Sequence, residues 1–348
     1  MKKLIQTIKD IWSIEDLRNK ILLTLGFMAI YRLAAQVPLP GIDITVAQAA
    51  LKNQTSGGGI LGLLDMFTGG AFAQASIVAL GIMPYISASI VVQLMGIAVP
   101  YLQKLQKDGE SGRKKINQIT RWLTIAITMV QGPAYITNIY QLIPSEAFYV
   151  SGGMFWLSSM VILTAGTVFA MWLGEKITDK GIGNGISLLI MIGIIARFPS
   201  SFIQEVVSKV TASNGGLIMI LLEVIVWFLV IMVCVYLVTA VRRIAVQYAR
   251  KTVAGNINSV AGARDYIPLK LNSSGVMPII FAQAIMFAPA LMAGSDNETV
   301  KTVGIEFSNM FGLWYNLLFA FLIIIFSYFY TAITIPTNKM ADDLKRSG

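Results

Sequence analysis

Long apolar stretches alternate with short polar ones along the whole chain, at a length that suits a lipid bilayer better than a soluble core. About 20 apolar residues in a helix cross roughly 30 Å of hydrocarbon. Eight candidate spans follow, at 21–36, 76–99, 122–142, 154–173, 185–198, 217–241, 276–293 and 313–335. The fifth is short for a span. The seventh contains Pro278 and Pro289, which lack a backbone donor and need neighbouring helices or water to compensate. Short or proline-broken spans line aqueous paths in some membrane proteins and are kinked packing helices in others, so the pattern alone leaves both open.

Ahead of the first span, Leu4, Ile8, Ile11 and Trp12 recur at helical spacing around Lys9 and Asp10. This predicts an amphipathic arm over residues 1–20 lying on the membrane surface. The arm is not the start of a removed signal peptide, because the first apolar run begins only at Ile21, contains Arg32 and is followed by further spans. Between the first two spans, residues 37–75 open with Pro-Leu-Pro-Gly at 38–41 and become glycine-rich at Gly57, Gly58 and Gly59. The apolar piece at 60–67 that follows is too short to span, and Gly69 and Gly70 hinge it onto the second span. It reads as a re-entrant or interfacial helix, with a moving part as the alternative.

Composition sharpens this picture. Of 348 residues, 55% are hydrophobic and only 13% charged, where soluble chains carry about a quarter charged residues. The bilayer is therefore the solvent. The one cysteine, Cys234, allows no disulfide or thiolate metal site within the chain. Histidine is absent, which removes the usual proton shuttle, the commonest metal ligand and every Ser/His or Cys/His nucleophile. No cofactor, metal or enzymatic activity is expected. An intramembrane protease would need a Ser/His pair or paired membrane aspartates, and neither is present.

The charges set orientation. Lys2, Lys3, Lys9, Arg18 and Lys20 precede the first span; Lys104, Lys107, Arg113, Lys114, Lys115 and Arg121 follow the second; Lys176 and Lys180 follow the fourth. Arg242, Arg243, Arg250, Lys251, Arg264 and Lys270 follow the sixth, and Lys339, Lys345 and Arg346 the eighth. Lys52, Arg197, Lys209 and Lys301 fall on the opposite side, and Arg32 inside the first span. The positive-inside rule then puts both termini in the cytoplasm, and topology alone accounts for a net charge of +9.

Several long motifs carry a resemblance. LLDMFTGGAFAQASIVALGIMPYISASIVVQLM at 63–95 is followed in order by KDGESGRKKINQITR at 107–121 and GEKITDKGIGNGIS at 174–187. Then come RRIAVQYARK at 242–251, IPLKLNSSGVMPIIFA at 267–282 and TNKMADDLKRSG at 337–348. The chain resembles the SecY family, the pore subunits of the bacterial Sec protein translocase, from its N-terminal arm to Gly348.

The resemblance implies an all-α, polytopic membrane helix bundle: a clamshell of two inverted halves around an hourglass channel. The N-terminal half would be 21–198, joined by an external hinge loop at 199–216 to a C-terminal half at 217–348. The family has ten spans and this sequence stops after the eighth, so it is expected to be a piece of a longer protein, a natural eight-span variant being the alternative. Carried over by motif, the pore ring falls on Ile82, Ile86, Ile190, Ile194 and Ile280. On spacing alone these isoleucines read as lipid-facing or packing residues. The plug, about 60–70, takes Ile60, Leu61, Leu63, Leu64, Asp65, Met66, Phe67, Gly69 and Gly70, with Asp65 expected to face the aqueous vestibule. A lateral gate between the second and seventh spans would be lined partly by Ser87, Ser89, Gln93 and Gln283.

On the cytoplasmic face, the loop 242–272 would dock partners through Arg242, Arg243, Tyr248, Arg250 and Lys251, with Arg113, Lys114 and Lys115 adding to the patch. Without the resemblance these charges read as a topology anchor. The partners it implies are SecE and SecG, the motor ATPase SecA, translating ribosomes, signal sequences and nascent polypeptides, and membrane lipids, all at the bacterial inner membrane. GIGNG at 181–185 matches no nucleotide-binding motif and reads as a turn, so ATP hydrolysis would belong to a partner. The function implied is a protein-conducting channel subunit. A secondary transporter of a small solute is the alternative, although Arg32 and Glu223, the main intramembrane charges, sit on different spans.

Overall fold

The computed structural model describes residues 2–55, 65, 68–150, 152–211, 216–247, 264–275, 277–292, 298–309, 312–335, 337, 340–342 and 345. The chain forms two compact units, residues 1–202 with 287–312 and residues 203–286 with 313–348.

The first unit begins with α1 (Lys2–Ser13), the surface arm, and α2 (Glu15–Ala34), the first span. α3 (Ile44–Thr55) follows, with Asp43 ahead of it accepting hydrogen bonds from the Thr45 N–H at 2.9 Å and the Thr45 hydroxyl at 2.6 Å. The second span departs from its expected bounds, since 76–82 run in turns and the helix α4 starts only at Met83 (Met83–Ala98). Two features explain the late start. Gly81 has φ +54, and Pro84 occupies the first helical turn, where a missing N–H costs nothing. The turn segment is tied instead to the loop before α3: Leu39 N–H donates to Ala75 O at 2.8 Å, and Ile77 N–H to Val37 O at 2.9 Å.

α5 (Pro100–Lys107) leads into α6 (Gly109–Leu142), which extends the third span by four turns of polar helix carrying Arg113, Lys114 and Lys115. α7 (Gly153–Lys180) packs against it, and the Arg121 guanidinium binds the Glu175 carboxylate bidentately at 3.0 and 2.5 Å. The expected turn at 181–185 is present. Asn184 in it caps α8 (Gly185–Ala196), its side-chain oxygen accepting the Ile186 and Ser187 N–H groups. Leu39, Ile42, Phe72, Tyr135, Ile136, Ile139, Phe155 and Leu163 form a core that fixes the turn segment to α6 and α7.

The stretch 199–216, expected as a connecting loop, is helical to Thr211 as α9 (Phe198–Thr211). α8 and α9 meet at Arg197 in one 27-residue stretch, Gly185–Thr211, long and apolar enough to cross a membrane. The short fifth span is thereby lengthened.

In the second unit, α10 (Gly216–Thr239) has a mean hydropathy of 3.1 over its best window and none of that window buried, a helix whose solvent is lipid or other helices. Lys209 pairs with Glu223 of α10 and with Glu205 at 3.1 Å. The basic segment after α10 carries an antiparallel pair, β1 (Val241–Gln247) and β2 (Arg264–Lys270), with Arg242 opposite Leu269 and Arg243 opposite Pro268. The all-helical expectation thus holds outside this one hairpin among the described residues.

α11 (Met277–Met292) is the seventh span. Pro278 lies in its first turn, so it does not interrupt the helix as the sequence pattern implied. α12 (Glu298–Ser308) belongs to the first unit, and α13 (Leu313–Thr334) packs on α11 through Phe281, which meets Phe326 and Tyr330 edge-on at 5.5 and 5.9 Å.

Four helical stretches among the described residues are long and apolar enough to span by themselves, and the bent pair α4–α5 makes a fifth. Three of the eight expected spans fall short for separate reasons. α2 carries Glu15, Asp16, Arg18, Lys20 and Arg32; α11 has only 16 residues; α6 is threaded with Thr124, Thr128, Gln131 and Asn138. Thr124 and Thr128 are buried and each returns its hydroxyl to the carbonyl four residues back, at 2.7 Å. Such residues can cross a membrane inside a bundle without leaving a donor unsatisfied.

Candidate pore and plug anchor

Three of the five ring isoleucines meet in one place. Ile82, at the end of the turn segment, Ile86, one turn into α4, and Ile190 of α8 line a cavity together with Tyr31, Thr68 and Met83. The space they enclose is small, about 10 Å³ or room for roughly one water molecule, and its walls are largely apolar. Ions cannot shed water against such walls, whereas a sliding polypeptide can fill them. Ile194 stands one turn beyond Ile190 and is half-buried, outside the residues that line the cavity. Ile280 lies on α11 in the second unit, and its side chain is outside the described residues.

Of the plug residues, Asp65, Gly69 and Gly70 are described; Ile60, Leu61, Leu63, Leu64, Met66 and Phe67 lie outside the described residues. Asp65 does not face an aqueous vestibule as expected. It is fully buried at 0% exposure, its Oδ1 accepts the Ala73 N–H at 2.7 Å, and its Oδ2 forms an ion pair with Arg197. The turn after it is closed by the Gly70 N–H donating to Asp65 O at 2.8 Å. A carboxylate inside an apolar segment is held there because burying it unpaired would cost several kcal/mol, on the order of the penalty for any isolated buried charge.

Two arginines that the sequence pattern does not mark as site residues complete the arrangement. Arg32 of α2 donates from Nη1 to Gly69 O at 2.9 Å, and Arg197 stands at the junction of α8 and α9. Gly69 and Gly70 have φ of +68 and +93, so glycine alone fits without strain. The signal that could have found these residues is charge itself, since an arginine within a span and an aspartate in an apolar octet are both costly in lipid unless they meet a partner.

Of the gate residues, Ser87, Ser89 and Gln93 follow one another on α4, with Gln93 Nε2 donating to Ser89 Oγ at 3.2 Å, while Gln283 is half-buried on α11 in the second unit. Of the docking residues, Arg242 and Arg243 are exposed on β1, and Arg113, Lys114 and Lys115 are exposed on the first turns of α6. Tyr248, Arg250 and Lys251 lie outside the described residues.

The SecY family profile matches residues 76–348. Protein translocase subunit SecY of Streptomyces scabiei is 37% identical over 348 residues, covering 96% of this chain and 78% of its own. The chain belongs to the SecY family. The same-named protein of Helicobacter pylori is 38% identical over 334 residues, with 95% and 78% covered, and that of a Buchnera aphidicola subspecies is 37% identical over 339, with 96% and 94% covered. Among solved structures, one described as the structure of a protein conducting channel superposes with a TM-score of 0.51 at 16% identity. It covers 84% of this chain, which spans 60% of the channel chain's length. This SecY-family chain is a multi-pass membrane protein and a protein-conducting channel subunit.

Proposed function

We propose that the cavity between α2, the turn segment, α4 and α8 is the resting constriction of the channel, through which unfolded secretory polypeptides cross the bacterial inner membrane. The observation that supports this is the convergence of Ile82, Ile86 and Ile190 on one cavity beside Thr68, at the end of the plug segment. An aliphatic collar grips a passing chain without specific bonds and closes to ions when empty. Ile194 joins it one turn beyond Ile190. The segment 60–70 seals the outer side at rest.

Membrane segments leave sideways past α4, along Ser87, Ser89 and Gln93. Polar contacts between helices in lipid are worth only about 0.6–2 kcal/mol each, weak enough for an apolar signal sequence to replace. On the cytoplasmic side, where both termini lie, Arg242, Arg243, Tyr248, Arg250 and Lys251 with Arg113, Lys114 and Lys115 dock the ribosome and SecA. SecA supplies ATP hydrolysis, and SecE and SecG complete the membrane assembly. Exposed arginines suit both a phosphate backbone and an acidic protein surface.

The test is ion conductance in planar bilayers. The full-length protein with its partner subunits is compared with a deletion of 60–70 and with Ile86→Asn. Both variants are expected to give larger or more frequent currents than the parent. Silence from both, with insertion and folding verified, overturns the constriction and revives the reading as a transporter of small solutes.

A further inference from the structure

We infer that Arg197 and Arg32 are positioning residues that latch the end of the plug segment, and that the Arg197–Asp65 ion pair sets the threshold for opening. This inference rests on the plug reading of 60–70. Asp65 is wholly buried, while the Arg197 side chain is 38% exposed. The two partners therefore differ in what separation costs them. Arg197 is already partly exposed, whereas Asp65 gives up the guanidinium and the Ala73 N–H only by leaving its site. Motion of Asp65 out of the protein and rupture of the pair are one event.

The second point of attachment is independent of the first. Arg32, on a different helix, holds the Gly69 carbonyl at 2.9 Å, and a side chain on Gly70 would lie 2.9 Å from the Arg197 Nε. Two cations on two helices thus bracket Asp65 and Gly69, one through a side chain and the other through the backbone. The far side of that turn is fixed in turn: Tyr135 donates its hydroxyl to Phe72 O at 3.0 Å, and Phe72 and Tyr135 pack edge-on at 4.8 Å. Residues 71–73 are anchored to α6, so Asp65 has a fixed reference against which to dock and undock.

Loss of one partner of a buried pair is far more damaging than replacement of both, because the survivor is left charged and unpaired. This gives the latch a signature that a merely structural role lacks. In planar bilayers, the full-length protein with its partner subunits is compared as parent, Asp65→Asn, Arg197→Gln, the double variant and the 60–70 deletion. Arg197→Gln strands a buried carboxylate and is expected to raise the resting open fraction about tenfold or more. Asp65→Asn keeps an acceptor for the Ala73 N–H and is expected to raise it less, and the double variant less than Arg197→Gln alone. Translocation of a substrate with a weakened signal sequence should rise in the same order. Additive effects of the two substitutions, or silence of Arg197→Gln where the deletion leaks, overturn the latch and leave the plug standing. Silence of the deletion overturns the plug reading itself.

Discussion

The α-carbon of Gly69 rests against the backbone of Gly193: a methyl group on Gly69 would lie 2.8 Å from the Gly193 α-carbon and 2.9 Å from its carbonyl oxygen. The turn at Gly69 and the helix bearing Ile190 and Ile194 touch through two glycines, with no side chain between them. The Arg32 guanidinium, bound to the Gly69 carbonyl, lies on the same turn, and the contact brings the turn next to the wall of the cavity.

Gly69→Ala should therefore disturb the resting state in three ways, through overlap with the Arg32 Nη1, through backbone overlap with Gly193 and through a φ of +68 that a Cβ disfavours. Strain of about 1–3 kcal/mol is expected from the backbone conformation alone. Single-channel recording should show more frequent openings, with the amount of inserted protein unchanged.

Gly166 of α7 supports the turn segment in a similar way, since a Cβ there would lie 2.0 Å from Ile77 O. The bound carbonyl cannot retreat, because the Ile77 N–H is fixed to Val37 O. Gly166→Val should lower stability by about 1–3 kcal/mol, the usual cost of overpacking. Thermal unfolding in detergent would register it as a lower midpoint, and an unchanged midpoint would mean that the two elements are less tightly apposed.

Asn184→Ala removes both side-chain bonds to the first turn of α8. A loss of about 0.5–2 kcal/mol is expected, with Asn184→Asp or Asn184→Ser restoring most of it. Hydrogen exchange at Ile186 and Ser187 should accelerate before any other part of α8.

Outside the membrane, Asp43 ties the loop before α3 to the loop before α7. Its Oδ2 accepts the Tyr149 hydroxyl at 3.0 Å, and its N–H donates to Ala147 O at 2.7 Å. The Thr45 hydroxyl foremost, then the Thr45 N–H and the Tyr149 hydroxyl, hold the Asp43 carboxyl below its ordinary range, while Asp43 pushes the Tyr149 phenol up. A depressed carboxyl pKa contributes stability above the unfolded value of about 3.9, and that contribution disappears as pH falls through the lower folded value. The parent should exceed Asp43→Asn in melting temperature by a constant margin between about pH 5 and 7, and the margin should close below about pH 4. A margin that closes near neutrality instead would assign the effect to another group.

The positions of most apolar helices, the N-terminal helix and the turn at 181–185 follow from the sequence, because apolar length and glycine placement answer to local chemistry and to the thickness of a bilayer. Family membership was legible too, carried by several long motifs in order. The start of α4 at Met83 was less so, since 76–82 are apolar enough to continue a helix, and the bonds of Leu39 to Ala75 and of Ile77 to Val37, made across the chain, hold the turns that Gly81 and Pro84 permit. The helical course of 198–211 and the strand pair of 241–247 with 264–270 were hidden for a like reason. The fate of the charges lay furthest from view. Arg32, Asp65 and Arg197 are separated by 33 and 132 positions, and no periodicity links them. Only the packing of α2 and α8 around one turn brings two guanidinium groups to it, and the cost of a lone buried carboxylate makes that meeting obligatory once Asp65 is enclosed.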